Sequence, residues 1–341
     1  MMIDTLKVLI NASEKAARIA RSCCEGATDE VLLVAEKGEG EANARFDKDF
    51  KTIADVLAQE SAKNEIATFS PELARNTRGE ECSEIGGVSI KLQENWEKTA
   101  EMLSLLVAPN VATRMSAAAH SSIELSLDLP EDLPSIDIND LGVWIDPIDA
   151  TAEFISGVRG QAKTGRGLPC VTVLIGAYIK STGEPVMGVI NQPFYNNGKG
   201  RIIWGVSYGT TKEWGTTESK SDSESNIVLM SSAENPEIVN KMKKANLEVK
   251  SVPGAGHKLL KVALGEAGIY IVSKGTTFRW DTCAPHSILQ ALGGDIVSYS
   301  TYTPITYNDP EDVDTQQFCN SDGVIAYSDI KVFENIKKIL T

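Results

Sequence analysis

Histidine is scarce in this chain. Its three copies, His120, His257 and His286, lie far apart, so there is no local His-rich zinc motif and no imidazole beside a serine or cysteine nucleophile. His257 alone falls in a segment of functional interest, and the other two are expected to be structural. Six cysteines include the adjacent pair Cys23-Cys24 but no C-x-x-C. Neither a zinc knuckle nor a disulfide framework follows, and a reducing, cytoplasmic compartment is expected. No apolar run is long enough to cross a bilayer. Met2 to Ala20 carries charge throughout, with Ile3, Leu6, Ile10, Ala17 and Ala20 at helical spacing, and reads as an amphipathic surface helix, not a signal peptide. Positive charge is also short: 33 Lys and Arg stand against 47 Asp and Glu, a net charge of −14. That balance argues against a nucleic acid polymer or an anionic membrane as partner. No internal repeat is visible.

What is present suits a globular enzyme. With 341 residues and 42% apolar residues, the chain can bury a large core, best divided into two lobes of one unit. Helical patterns fall at 3–24, 50–63 and 94–118, and apolar runs of β character at 141–146, 170–180, 186–192 and 201–207. The polar stretch from Gly209 to Asn226 reads as a linker or mobile loop. Beyond it, strand (226–230), helix (234–244), strand (248–252), helix (256–264), strand (268–273) and helix (283–292) alternate. A short strand near 323–328 and a helix near 329–340 close the chain. This order predicts α/β layering, with an N-terminal α+β lobe over 1–215 and a C-terminal α/β lobe over 216–341.

The densest chemistry sits in Asp146-Pro147-Ile148-Asp149-Ala150-Thr151, after the apolar run Leu141-Gly142-Val143-Trp144-Ile145. Pro147 has a fixed φ and no N–H, so the segment is expected to leave the strand in a turn. Such a turn aims two carboxylates at one point and leaves the Ile148 carbonyl free between them, a set of oxygen ligands that suits Mg²⁺. Taken alone, the motif is equally a strand-end turn with two solvated acids. Three further segments carry acids at the edges of elements: Phe50 to Leu57 with Asp55, Arg78-Gly79-Glu80-Glu81, and Phe278-Arg279-Trp280-Asp281-Thr282.

Together these segments resemble the lithium-sensitive, Mg²⁺-dependent phosphatase superfamily of inositol monophosphatase and fructose-1,6-bisphosphatase. The shared pattern is an upstream Asp, a Glu-Glu pair, Asp-Pro-Ile/Leu-Asp-x-Thr and a late Trp-Asp. Within the superfamily, Asp49 to Leu57, Gly142 to Asp149, Cys170 to Gly176, Gly188 to Phe194 and Gly254-Ala255-Gly256-His257-Lys258 most resemble the branch that acts on the 1-phosphate of inositol polyphosphates. The resemblance extends from the first helix to about residue 330. It implies a layered α/β sandwich of the sugar-phosphatase type, two lobes facing a metal-containing cleft, and a monomer acting on a small phosphate ester.

The resemblance also assigns roles. Glu80, Asp146 and the Ile148 carbonyl would hold one Mg²⁺, and Asp146, Asp149 and Asp281 a second, with Glu81 nearby or at a weaker third site. Uncompensated, these acids would raise one another's pKa, so their convergence itself argues for cations, as does an acidic protein's need to bind an anion. Asp55 and Thr151, with Glu80, resemble the group that orients and deprotonates the attacking water; Thr151 would in any case serve as a helix N-cap. Asp149, Ala150 and Thr151 would lie beside the scissile phosphate. Gly254, Ala255 and Lys258 would hold substrate at a helix start, through exposed N–H groups and one positive charge. Ser232 and Thr276 match further substrate contacts, and Li⁺ is the expected inhibitor.

Two departures concern the substrate. The lysine expected two residues after Ser232 is Glu234. Trp280 to Pro285 and Asn191 to Asn196 look as much like the sister branch that removes the 3′-phosphate of 3′-phosphoadenosine 5′-phosphate. Other mechanisms fit less well. An aspartyl-phosphate phosphatase needs Asp-x-Asp, whereas the acids here are three apart. A non-enzymatic acidic cation-binding protein would carry a local EF-hand loop, and none occurs.

Overall fold

The computed structural model describes residues 2–24, 32–38, 41–42, 48–125, 127–218, 226–309 and 315–341. Side-chain alternation along the strands sorts the chain into layers. In the Thr172–Ile179 strand, Val173, Ile175 and Ala177 join one apolar cluster with Leu6, Leu9 and Ile10 of the Met2–Ser22 helix and Leu57 of the Ile53–Phe69 helix. Leu174, one residue out of phase, points to the other face, where it meets Leu259, Leu260 and Ile288. Successive β side chains alternate between faces, so helices cover both sides of this sheet.

The first sheet has six strands in the order Thr211–Thr216, Arg201–Tyr208, Pro185–Gln192, Thr172–Ile179, Leu141–Asp149 and Thr77–Gly79. Its pairs are antiparallel except the last, which is parallel. The second sheet has five, in the order Glu248–Ser251, Ile227–Met230, Ile269–Val272, Val324–Tyr327 and Asp295–Ser298. The Ala255–Ala263 and Arg279–Ala291 helices lie between the two sheets. On the far face of the second sheet, Val228, Met230, Ile269 and Ile271 pack with Ile238 and Met242 of the Pro236–Lys244 helix and Phe333 and Ile336 of the Ile330–Leu340 helix. The result is an α/β/α/β/α stack, the α/β layered class expected from the sequence.

Three glycines in register let the middle helix settle onto the first sheet. Gly176, Gly188 and Gly205 are paired neighbours across three strands. A Cβ at Gly188 would lie 2.0 Å from the Ala284 carbonyl oxygen, and one at Gly176 2.4 Å from the Ala284 nitrogen. This close approach fixes the helix whose first turn carries Asp281.

Several elements differ from the sequence reading. The Met2–Ser22 helix is buried on more than one side, Thr5, Ser13 and Glu14 included, so it is no simple surface helix. The single helix expected over 94–118 is two, Trp96–Leu103 and Pro109–His120, because Pro109 can start a helix but not continue one. Within the stretch read as a linker, Thr211–Thr216 adds an edge strand; residues 219–225 lie outside the described residues. The strand expected to end at 146 runs on to Asp149, and Pro147 is accommodated by a bulge between Asp146 and Asp149. The Asp295–Ser298 strand was not anticipated. Among the described residues, no helix is long and apolar enough to cross a membrane.

Candidate metal centre

Sheet register builds the centre. Gly79 pairs with Ile145 in the parallel ladder, and the Glu80 N–H continues it by donating to the Ile145 carbonyl at 3.0 Å. Glu80 is thereby set beside Asp146 at the end of the neighbouring strand. Gln59, from the Ile53–Phe69 helix, clamps Glu81 by accepting from its N–H at 2.9 Å and donating to its carbonyl. A Cβ at Gly79 would strike the Gln59 amide.

The other acids come from helix starts. Asp55 and Asp281 each occupy the third position of a helix, where each carboxylate accepts the N–H of the residue before the helix: Thr52 at 2.8 Å and Phe278 at 2.6 Å. A helix N-terminus favours negative charge, which helps hold these acids where water is scarce. Candidate ligand oxygens of Asp146, Asp149 and Asp281 all lie within 4.8 Å of one another. Asp146 and Asp281 are 1% and 8% exposed.

Asp149 is the most heavily tied of the three. Its carboxylate accepts from Thr172 Oγ1 at 3.1 Å and from the Ala255 and Gly256 N–H groups at 3.3 and 3.0 Å. The helix start expected to cradle a substrate anion is therefore turned onto Asp149, because that carboxylate already sits where the exposed N–H groups converge. Lys258, buried beneath it, donates to the Val252 and Gly254 carbonyls at 3.1 and 2.7 Å.

Ala150 stands at φ 70° and ψ 48°, left-handed for a residue with a Cβ. That turn ends the strand and starts the Thr151–Val158 helix, with Ala150 as N-cap. Thr151 is therefore not the cap. Its hydroxyl lies 3.2 Å from both Asp55 Oδ1 and the Ile148 carbonyl, which leaves that carbonyl oxygen a second lone pair for a cation.

Electrostatics give the cluster a proton problem. Burial first, then the neighbouring acids Glu80, Asp149 and Asp281, raise Asp146 well above the usual carboxylate range. Burial and neighbouring acids do the same to Asp281. Burial raises Glu81 against the pull of Lys37. Asp55 and Asp149 are pushed up to about 6, burial again the main cause. Asp146 Oδ1 is buried without a hydrogen-bond partner. A buried, unpartnered carboxylate oxygen among acids that resist ionisation fits a hard divalent cation, which takes oxygen ligands and neutralises them.

Sequence reasoning missed Lys37. Its buried ammonium lies 2.5 Å from Glu80 Oε1 and 2.8 Å from Glu81 Oε1. Burial alone would lower its pKa, but Glu80, Glu81 and Asp49 outweigh burial and raise it. Its segment carries no motif, so only the fold reveals it. Thr172 and Gln59 were likewise missed. Of the histidines, His286 is structural, its ring set between the Tyr307 hydroxyl at 2.9 Å and Asp295 at 2.5 Å. His257 is buried, and burial lowers it to about 4.

A cleft of about 860 Å³ opens over these acids. Glu80, Asp146, Ile148, Asp149 and Asp281 form part of its wall, with Ala150 and Thr151 beside them. The expected substrate contacts Ser232, Gly254, Ala255, Lys258 and Thr276 line it as well. Asp55 and Glu81 lie behind, Asp55 linked to the cleft wall by Thr151, and Glu81 by Lys37, which bridges it to Glu80. Trp280 stacks on Phe278 with centroids 4.6 Å apart, and Trp144 donates from Nε1 to the Tyr307 carbonyl at 3.0 Å, so an aromatic cluster braces the floor.

A layered α/β stack with acids converging at strand and helix ends defines the class. The inositol monophosphatase family profile matches residues 5–329, and the chain belongs to that family. Inositol polyphosphate 1-phosphatase of Mus musculus is 39% identical over 329 residues, covering 87% of this chain and 83% of the relative. The 3′(2′),5′-bisphosphate nucleotidase 1 of Homo sapiens is 30% identical over 332 residues, covering 90% of each. In structure, the chain is similar to the IMPase of Thermotoga maritima, with TM-score 0.59, 15% identity, and 99% and 98% of the two chains covered.

Proposed function

We propose that this chain is a Mg²⁺-dependent phosphomonoesterase that removes the 1-phosphate of inositol 1,4-bisphosphate or inositol 1,3,4-trisphosphate. The observation that carries this reading is the meeting of Asp146, Asp149 and Asp281 within 4.8 Å, beside the Thr151 hydroxyl that faces Asp55. Glu80, Asp146 and the Ile148 carbonyl would hold one cation, and Asp146, Asp149 and Asp281 another, with Glu81 and Lys37 behind them. Bound there, Mg²⁺ would supply positive charge to the phosphoryl oxygens and lower the pKa of water.

The chain's own residues do the rest. Thr151, fixed between Asp55 and the Ile148 carbonyl, presents its hydroxyl oxygen to orient water for in-line attack on phosphorus. Asp55 can take up a proton through the Thr151 hydroxyl that faces it. Among the described residues that line the cleft there is no histidine, and the reading takes the attack as direct, without a covalent intermediate. Li⁺ would inhibit by entering a cation position. The reading places the enzyme in the reducing, cytoplasmic compartment expected from the sequence and takes it as a monomer.

The test is phosphate release with Mg²⁺ from inositol 1,4-bisphosphate and 3′-phosphoadenosine 5′-phosphate at equal concentration. Preference for the inositol ester supports the reading. The bisphosphate nucleotidase relative and the Trp280 to Pro285 segment favour nucleotide hydrolysis as the second reading, which preferential turnover of the nucleotide would establish instead. Release from neither would leave an acidic cation-binding protein.

A further inference from the structure

The resemblance read from the sequence implies a lysine where this chain has Glu234, and the fold shows where that acid goes. Glu234 is 7% exposed. Its carboxylate accepts from the Ser273 N–H at 3.0 Å, from the Ser273 hydroxyl, and from the Asn235 N–H at 2.7 Å. Two of these donors, both from Ser273, tie it to the end of the Ile269–Val272 strand, so it staples two loops of the cleft wall together. The staple brings Lys274 against the segment that lost its lysine: the Lys274 ammonium donates to the Ala233 carbonyl at 3.1 Å. The turn closed by the Thr276 N–H on the Lys274 carbonyl, at 2.8 Å, sets Lys274 and Thr276 on the same wall as Ser232.

The other cations of this cleft are less suited to a second anion. Lys258 is buried at the floor, with its ammonium on two backbone carbonyls. Arg166 pairs with Glu153 at 3.2 Å. Lys48 faces Glu36 at 3.9 Å. Lys274 is exposed and, among the described residues, makes no ion pair; one neutral carbonyl accepts from it. Ser232, the chain neighbour of the Ala233 that Lys274 contacts, is exposed and lines the same cleft. An ammonium with free donors next to a hydroxyl is a ready phosphate contact.

We infer that Lys274 anchors the second phosphate of a bisphosphate substrate, supplying from the neighbouring loop the charge that Glu234 withdrew. The inference rests on the proposed phosphatase activity and names the residue that selects bisphosphates over monophosphates. Lys274 is a specificity residue, remote from the reacting phosphorus.

The test measures kcat and KM with Mg²⁺ for inositol 1,4-bisphosphate and inositol 1-phosphate in the wild type, Lys274→Ala and Lys274→Arg. Lys274→Ala is expected to raise KM for the bisphosphate about tenfold, with kcat within about twofold and the monophosphate unchanged, and Lys274→Arg to restore most of the loss. An equal effect on both esters, or none on either, overturns the anchor. Failure of the inositol reading would look different, as wild-type turnover of 3′-phosphoadenosine 5′-phosphate alone. The same variants are then judged on that nucleotide against 3′-adenosine monophosphate, with the same expected contrast. Wild-type turnover of neither bisphosphate overturns both proposals.

Discussion

Removing divalent cations should make this protein's stability fall as pH rises, and the size of the fall can be worked from the buried acids. Asp55 and Asp149 titrate near 6 in the fold, against about 3.9 for a free aspartate. A folded pKa raised above the unfolded one gives stability that is complete below the unfolded pKa and lost as pH climbs through the folded value. The window is therefore about pH 4 to 7. A shift of about two units is worth roughly 3 kcal/mol for one group, and because both acids are raised in part by the same neighbour, Glu80, their losses do not simply add and the two together lose on the order of 3–5 kcal/mol. Asp146, Asp281 and Glu81 are raised further and extend the loss upward. At an unfolding entropy of about 2 cal/mol/K per residue, a chain this long would lose roughly 4–7 °C in Tm. Mg²⁺ abolishes the penalty by replacing the protons. The assay is thermal unfolding from pH 5 to 8 with chelator and with excess Mg²⁺. Subtracting one curve from the other cancels groups outside the centre, such as Asp295, which burial would raise but the His286 contact lowers. The Mg²⁺ increment should grow with pH, and Asp146→Asn should flatten its growth. An increment independent of pH, or one that Asp146→Asn leaves untouched, would refute the argument that these acids share a cation site.

Further outcomes follow from the same geometry. Asp149→Asn and Asp281→Asn should each lower kcat by about a thousandfold or more, while circular dichroism stays native and metal-free Tm is equal or higher because a buried charge is gone; retained activity in both would sink the ligand assignment. Thr151→Val keeps the shape but removes the hydroxyl between Asp55 and Ile148, and should cost about a hundredfold in kcat with little change in Mg²⁺ affinity measured by calorimetry. Gly188→Ala places a methyl 2.0 Å from the Ala284 carbonyl; denaturant unfolding should show a loss of about 3 kcal/mol, with weaker Mg²⁺ binding because the helix carrying Asp281 must shift.

How much of this was legible from sequence depends on the kind of constraint. Asp146 and Asp149 could be read because a proline-interrupted acidic motif follows an apolar run, and Asp281 and Asp55 because their segments carry acids at the edges of expected elements and match the family pattern. The layering was legible from the alternation of strand and helix beyond residue 226. The turn at Ala150 was not, since alanine gives no hint of a left-handed backbone. Lys37 was invisible because its partners Glu80 and Glu81 are more than 40 residues away, and no local pattern encodes a buried ammonium. Glu234 misled for a similar reason: its partner Ser273, 39 residues on, follows the neighbouring strand of the second sheet, so the sequence showed an acid in a phosphate site where the fold shows a staple between loops. Asp295–Ser298 escaped notice as four residues behind Gly293-Gly294, too short for periodicity to register.

The central claim is a Mg²⁺-dependent attack on one particular phosphate, and phosphorus NMR of inositol 1,4-bisphosphate during turnover tests it most directly. The account predicts that, with Mg²⁺ and not with chelator, the 1-phosphate signal is replaced by inorganic phosphate while the 4-phosphate persists. Loss of the 4-phosphate first, or identical spectra with and without Mg²⁺, would contradict it.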